Sequence, residues 1–113
     1  MGKRYDLVII GAGPGGYIAA KKAAKAGMSV VIIDKGEVGG TCMNRGCIPT
    51  KALIHASTLY REMTECEKFG LYAEQVGFDL QKIFEYKDLS ASKMREELKK
   101  EFSELGIRFV KGT

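Results

Sequence analysis

Residues 5–10, Tyr-Asp-Leu-Val-Ile-Ile, end on four apolar positions with no polar residue between them. Such a run predicts a strand buried on both faces. Gly11-Ala12-Gly13-Pro14-Gly15-Gly16 stops it. A helix is predicted from about Pro14 to Ala26, with Ile18, Ala19, Ala23 and Ala26 on one narrow, mostly small-residue face. Gly27 stands where a left-handed C-terminal cap belongs. Ser29 to Asp34 forms a second continuous apolar strand. Strand, glycine turn, helix and strand within about thirty residues make a βαβ unit with a right-handed crossover.

Gly36 to Gly46 is a glycine-rich connection that holds two cysteines. A second helix starts near Pro49 and gathers Ala52, Leu53, Ala56, Tyr60, Met63 and Cys66 on one face. Tyr60 and Met63 are expected in the core, and Cys66 is expected as a small buried hydrophobe. A polar loop from Gly70 to Gly77 leads to Asp79, an N-cap for a long helical segment from Leu80 to Leu105. A break is predicted around Ser90, and Met94, Leu98, Phe102 and Leu105 form a stripe along the second half. Gly106 is a stop signal, and Ile107 to Val110 reads as a third strand. The fold class is α/β, a Rossmann-like unit with a parallel sheet. Three such strands leave open edges, so the sheet is expected to be incomplete.

Composition narrows the function classes. The 113 residues, 45% of them hydrophobic, suffice for one modest core and one domain. Eighteen basic against fourteen acidic side chains leave a net charge of only +4, spread along the chain. That argues against a dedicated nucleic-acid surface, and Lys3-Arg4 is too short to form a basic arm. The charges at Lys99, Lys100, Glu101 and Glu104 read as a solvated helix face. The early apolar run is too short for a membrane span and lies in the wrong setting for a secretory signal. The expected location is the cytoplasm, or an organelle interior once a transit peptide has been removed. Three cysteines are an odd number, which disfavours a secreted disulfide framework.

The glycine turn carries the first chemistry. Gly11, Gly13 and Gly16 satisfy G-x-G-x-x-G between a strand and a helix, with Asp34 ending the next strand. Glycines there permit the tight turn, close approach of backbone to a pyrophosphate, and tight helix–strand packing. The helix N-terminus offers free N–H groups to phosphate, and the acid can bond ribose hydroxyls. A glycine-rich turn followed by an ordinary strand-terminal Asp is the alternative. The motif alone does not separate NAD from FAD.

Cys42 and Cys47 carry the second. On an ideal helix, residues five apart are separated by ~7.5 Å in axial rise. A disulfide tolerates Cα separations up to about 6.8 Å. A bonded pair therefore requires a looped or distorted segment, which Asn44 and Gly46 permit. Cys47 lies just before a helix start, where the dipole favours a thiolate. Two ordinary thiols remain the alternative. A zinc site is weaker, because Cys66 and the single histidine, His55, complete no standard ligand pattern. No metal is predicted, and His55 reads as a surface or packing residue.

Residues 39–53, Gly-Gly-Thr-Cys-Met-Asn-Arg-Gly-Cys-Ile-Pro-Thr-Lys-Ala-Leu, closely resemble the redox-active segment of the flavin-dependent disulfide reductases. Asp6 to Gly16 and Asp34-Lys35-Gly36-Glu37 share the resemblance, and weaker similarity runs on to Gly112. Within that family the cysteine segment looks most like the branch that oxidises dihydrolipoamide. Glutathione and mercuric reductases are the nearest rivals, and a non-catalytic nucleotide-binding module is the reading from another class.

The resemblance implies FAD as cofactor and NAD as co-substrate. The pyrophosphate would lie on Gly11, Gly13, Pro14, Gly15 and Gly16, and the ribose at Asp34 beside Lys35. Family members commonly carry Glu in place of Asp34, one methylene longer. Gly39, Gly40 and Thr41 would bring backbone against the cofactor, and Lys51 would lie beside the isoalloxazine ring. Cys42 would exchange with the substrate dithiol, and Cys47 would face the flavin. The implied partners are dihydrolipoamide on a lipoyl-bearing protein and, in the full-length form, a second subunit of a homodimer.

Family enzymes also carry a separate NAD domain and an interface domain that supplies a His–Glu acid–base pair. No second G-x-G-x-x-G is present, and His55 lacks the histidine motif of that pair. Residues 1–113 are therefore expected to form the N-terminal part of an FAD-binding domain, inactive alone.

Overall fold

A computed structural model describes residues 4–113, so Lys3 lies outside the described residues. The order is β1 (Leu7–Ile10), α1 (Pro14–Lys25), β2 (Val30–Asp34), α2 (Gly40–Arg45), α3 (Cys47–Thr64), α4 (Leu80–Leu105) and β3 (Arg108–Lys111). A short 3₁₀ turn, Cys66–Phe69, follows α3. The strands form one parallel sheet in the order β1-β2-β3, with Leu7 opposite Val30 and Val31 opposite Arg108. This is the expected α/β, Rossmann-like arrangement.

The core lies where α1 and the second half of α4 cover the sheet. Ala12, Ala20, Val30, Ile32, Val38, Met43, Leu98, Phe102 and Ile107 are all buried there. β2 is the central strand and is buried over Val30–Ile32. β1 departs from expectation. Leu7 and Ile9 pack on the core, while Val8 is 53% and Ile10 87% exposed. An apolar run can report burial on both faces only where both faces are covered, and β1 is an edge strand covered on one.

Helix faces were legible in period but not always in phase. α1 packs through Tyr17, Ala20, Ala23 and Ala24, not through Ile18, Ala19 and Ala26, which are exposed. α4 runs unbroken through Ser90, whose hydroxyl donates to the Tyr86 carbonyl and stays within the helix. The Asp79 carboxylate caps it by accepting from the Lys82 N–H at 3.2 Å, and Gly106 ends it at φ +70°.

Antiparallel packing of α3 on α4 makes a hairpin that reaches away from the sheet. The molecule measures 67 × 26 × 18 Å, with a radius of gyration of 19.6 Å. A compact chain of this length would have about 13 Å. Tyr60 and Met63, expected in the core, lie on the outer part of this hairpin and are exposed. Tyr60 meets Phe78 edge-to-face at 5.8 Å between ring centres, above an apolar cleft of about 480 Å³. Cys66 opens the 3₁₀ turn beyond the end of α3 and is half-buried, not in the core.

α4 is tied back to the sheet by ion pairs. Lys21 of α1 meets Glu101 at 2.6 Å, and Glu37 lies 4.0 Å from Lys99 and 3.2 Å from Lys111 of β3. The face expected to be merely solvated thus makes long-range contacts. Partly exposed pairs of this kind contribute about 0–1 kcal/mol each.

Candidate nucleotide and disulfide site

β1 runs into the glycine turn, and the Gly11 N–H donates to the Ile33 carbonyl at 2.8 Å. Gly16 opens the first turn of α1 so close to Gly11 that a Cβ would strike the Gly11 carbonyl oxygen. Only glycine allows this packing. Pro14 occupies the first position of α1, where its missing N–H costs nothing. No side chain caps this end of the helix, and its first turn carries no acid. The N–H groups and positive end of α1 are left open to an anion.

Asp34 ends β2 directly behind this turn. Its Oδ2 accepts from the Ala12 N–H and its Oδ1 from the Gly36 N–H, both at 2.7 Å. The Ala12 bond and then the Gly36 bond hold the carboxyl below its ordinary value, opposed by a smaller effect of desolvation and aided less by Lys35. The shorter acid thus stays against the backbone and braces the turn. Each oxygen keeps a further acceptor lone pair for a ribose hydroxyl. Beside it opens a cleft of about 850 Å³, lined in part by Lys35, Gly40 and Thr41. Its size suits a nucleotide.

The cysteine segment is joined to the turn by backbone. Gly39 N–H donates to the Ala12 carbonyl at 2.8 Å. Gly40 follows at φ +67°, and a Cβ there would come within 2.6 Å of the Gly13 Cα. Glycine is required on both counts. Short helix α2 then carries Cys42, α3 starts at Cys47, and Gly46 separates the two helices. The break brings the two Cα atoms to 4.8 Å, and Cys42 and Cys47 form a disulfide. The glycine-rich connection is therefore partly helical, distorted at Gly46 as a bonded pair requires.

Cys47 is exposed and Cys42 half-buried. Cys47 occupies the first turn of α3, which carries neither a side-chain cap nor an acid. When the disulfide opens, the positive end of that helix favours a thiolate at Cys47. Lys51 lies one turn further along α3 and is exposed.

The structure thus joins the glycine turn, residues 11–16, to Asp34 through Ala12, and to residues 39–47 through Ala12 and the Gly13–Gly40 approach. Lys35, Gly40 and Thr41 lie on the cleft, and Lys51 is exposed on α3. Two residues escaped the sequence reading. Asn44 Nδ2 donates to the Val38 and Gly40 carbonyls at 3.0 and 2.8 Å, and its Oδ1 accepts from Arg95 Nη1 at 2.8 Å. Asn44 drew notice only as a residue that tolerates a loop. Arg95, fifty-one positions away, carried no local signal. Among the described residues no three His, Cys, Asp or Glu side chains gather as metal ligands, and no helix is long and apolar enough to cross a membrane.

A Rossmann-like βαβ turn joined to a disulfide defines a nucleotide-binding disulfide protein. The family model of the pyridine nucleotide-disulphide oxidoreductases matches residues 5–110, and the chain belongs to that family. Its enzymes depend on FAD, with NAD as co-substrate. The chain is 42% identical over 108 residues to dihydrolipoyl dehydrogenase 3 of Haloarcula marismortui, covering 96% of this chain and 22% of that protein. It is 48% identical over 89 residues to dihydrolipoyl dehydrogenase of Staphylococcus aureus, covering 79% and 19%. With the mitochondrial dihydrolipoyl dehydrogenase of Dictyostelium discoideum it shares 43% over 112 residues, covering 97% and 23%. The chain spans about a fifth of the length of these relatives.

The residues present fit FAD: the uncapped end of α1 suits its pyrophosphate, and the Gly13–Gly40 approach leaves backbone, not side chain, facing it.

Proposed function

We propose that the chain is the FAD-binding and thiol-exchanging portion of a flavoprotein that oxidises dihydrolipoamide to lipoamide and reduces NAD. The observation that carries this reading is the 2.8 Å bond from Gly39 N–H to the Ala12 carbonyl. It supports reading the dinucleotide turn and the disulfide segment as one site. Residues 1–113 then form the N-terminal part of the FAD domain, and the NAD and interface domains belong elsewhere in the parent polypeptide.

Gly11, Gly13, Pro14, Gly15 and Gly16 hold the pyrophosphate, and Asp34 with Lys35 holds the ribose. Gly39, Gly40 and Thr41 line the approach toward the ring, and Lys51 stands beside it. One thiolate of dihydrolipoamide attacks Cys42 Sγ, the Cys42–Cys47 bond breaks, and Cys47 leaves as a thiolate that the start of α3 stabilises. The second substrate thiol attacks the mixed disulfide, releasing lipoamide and leaving Cys42 reduced. The substrate loses two electrons and the cysteine pair gains them. FAD, when bound, would supply a two-electron acceptor for the reduced cysteine pair, with NAD as the co-substrate.

The substrate is carried on a lipoyl-bearing protein, and the full-length protein is a homodimer. The exposed apolar side of the hairpin supports a subunit contact. An exchangeable cysteine pair is the kind that persists in the cytoplasm, where we place the chain. The 113 residues alone are expected to sustain no turnover, because they carry no second G-x-G-x-x-G for NAD and because His55, exposed on α3, lacks the histidine motif of the family's acid–base pair.

Mixing the oxidised chain with stoichiometric dihydrolipoamide tests this. A gain of two thiols per chain, lost in Cys42→Ser, is expected. No gain with dihydrolipoamide would overturn the substrate assignment, and NAD reduction by the chain alone would overturn its role as a portion.

A further inference from the structure

Helix α2 contains only six residues, Gly40–Arg45, yet it carries one half of the disulfide. A helix that short has no stability of its own in water. Its position comes from tertiary ties, whereas Cys47 belongs to α3, which has eighteen residues. Buried Met43 supplies one tie, and Gly39 N–H supplies another. Asn44 supplies three more. Its amide group donates to two carbonyls, of Val38 and Gly40, and its oxygen accepts from Arg95. Val38 is fully buried. Arg95 stands one turn before Leu98 and two before Phe102, both buried, so the guanidinium is carried on a firmly anchored stretch of α4.

We infer that Arg95 is a positioning residue that sets the disulfide–dithiol balance of Cys42 and Cys47 through Asn44. The inference rests on the exchange reading above. The covalent bond already confines the oxidised loop. In the dithiol, only the noncovalent ties keep Cys42 facing Cys47. Removing Arg95 releases the reduced loop more than the oxidised one, and the equilibrium moves toward the dithiol.

The test is a redox titration of the whole chain against dithiothreitol, with both thiols trapped by alkylation and counted by mass. The reagent's two thiols become a cyclic disulfide as the pair becomes two thiols, so the reaction balances. Arg95→Leu is expected to shift the equilibrium constant about tenfold toward the dithiol, about 30 mV for a two-electron couple. Asn44→Asp should shift it further in the same direction, because a carboxylate cannot donate to the Val38 and Gly40 carbonyls. Arg95→Lys, which keeps a donor and preserves the helix, should recover part of the shift. Glu101→Gln, which breaks the Lys21 ion pair on the same helix, should leave the balance unchanged.

Equal balances in wild type, Arg95→Leu and Asn44→Asp would overturn the inference, as would a Glu101→Gln shift as large as that of Arg95→Leu. A wild-type pair that fails to cycle reversibly would instead overturn the exchange reading itself.

Discussion

In the sheet half, Val30 and Ile32 are closed off beneath α1, Leu98 and Phe102. At the far end of the hairpin, Phe69, Tyr72 and Phe78 face solvent. Both regions carry large apolar side chains, but only the first is sealed by a second layer. The total accessible surface is 8347 Å². A compact monomer of this mass would show about 6,100 Å². The elongated hairpin and the uncovered face of β1 both add to the excess. The nucleotide turn, Asp34 and Cys42 lie on the sealed half, and Cys47 begins the helix that leads out of it. The covered part of the molecule thus carries the glycine turn and Cys42, and the hairpin presents apolar surface.

Substitutions should separate the two halves. Gly16→Val places a side chain on the Gly11 carbonyl, and the largest effect is expected there: loss of cooperative unfolding in a thermal melt. Phe102→Ala empties a sealed position and should cost about 3–5 kcal/mol by urea denaturation. Phe84→Ala removes the same side chain from an exposed hairpin position and should cost less than about 1 kcal/mol. Equal costs would erase the distinction between the halves.

Acid should weaken the sealed half first. Asp34 is held below its ordinary pKa by the Ala12 and Gly36 N–H groups, and Glu37 by Lys111. Carboxyls lowered on folding contribute stability that is complete above their unfolded values, about pH 4. It is lost as pH falls through the lowered folded values. Asp34→Asn should flatten this acid limb of the stability–pH curve while leaving the neutral region of its slope unchanged. An unaltered acid limb would show that the Asp34 carboxylate does not brace the turn. The smallest effect belongs to Lys21→Met, about 0–1 kcal/mol, because its partner Glu101 is half-exposed.

The fold was legible wherever a residue's role depends on its neighbours in sequence. The βαβ order, the glycine turn, the Asp79 cap and the Gly106 stop are local signals. Cys42 and Cys47 were legible through their spacing and their setting, including the need for a break between them. The exposed face of β1 was not legible, because Val8 and Ile10 carry no mark of which faces are covered. Tyr60 and Met63 misled for the same reason, since helical period reports a face but not what lies against it. Cys66 left its helix because α3 ends at Thr64, before the apolar period does. Asn44 and Arg95 form a contact across fifty-one residues, and no local pattern encodes such a pair.

The claim that the turn and the disulfide are one site is tested most directly by the absorption spectrum of the chain after FAD is added and the excess removed, followed by reduction with dithiothreitol. A retained flavin spectrum is expected, one that gains long-wavelength absorbance as Cys47 becomes a thiolate and that is lost in Gly40→Val. Retained flavin with no such change on reduction would contradict it, because the disulfide would then lie away from the ring.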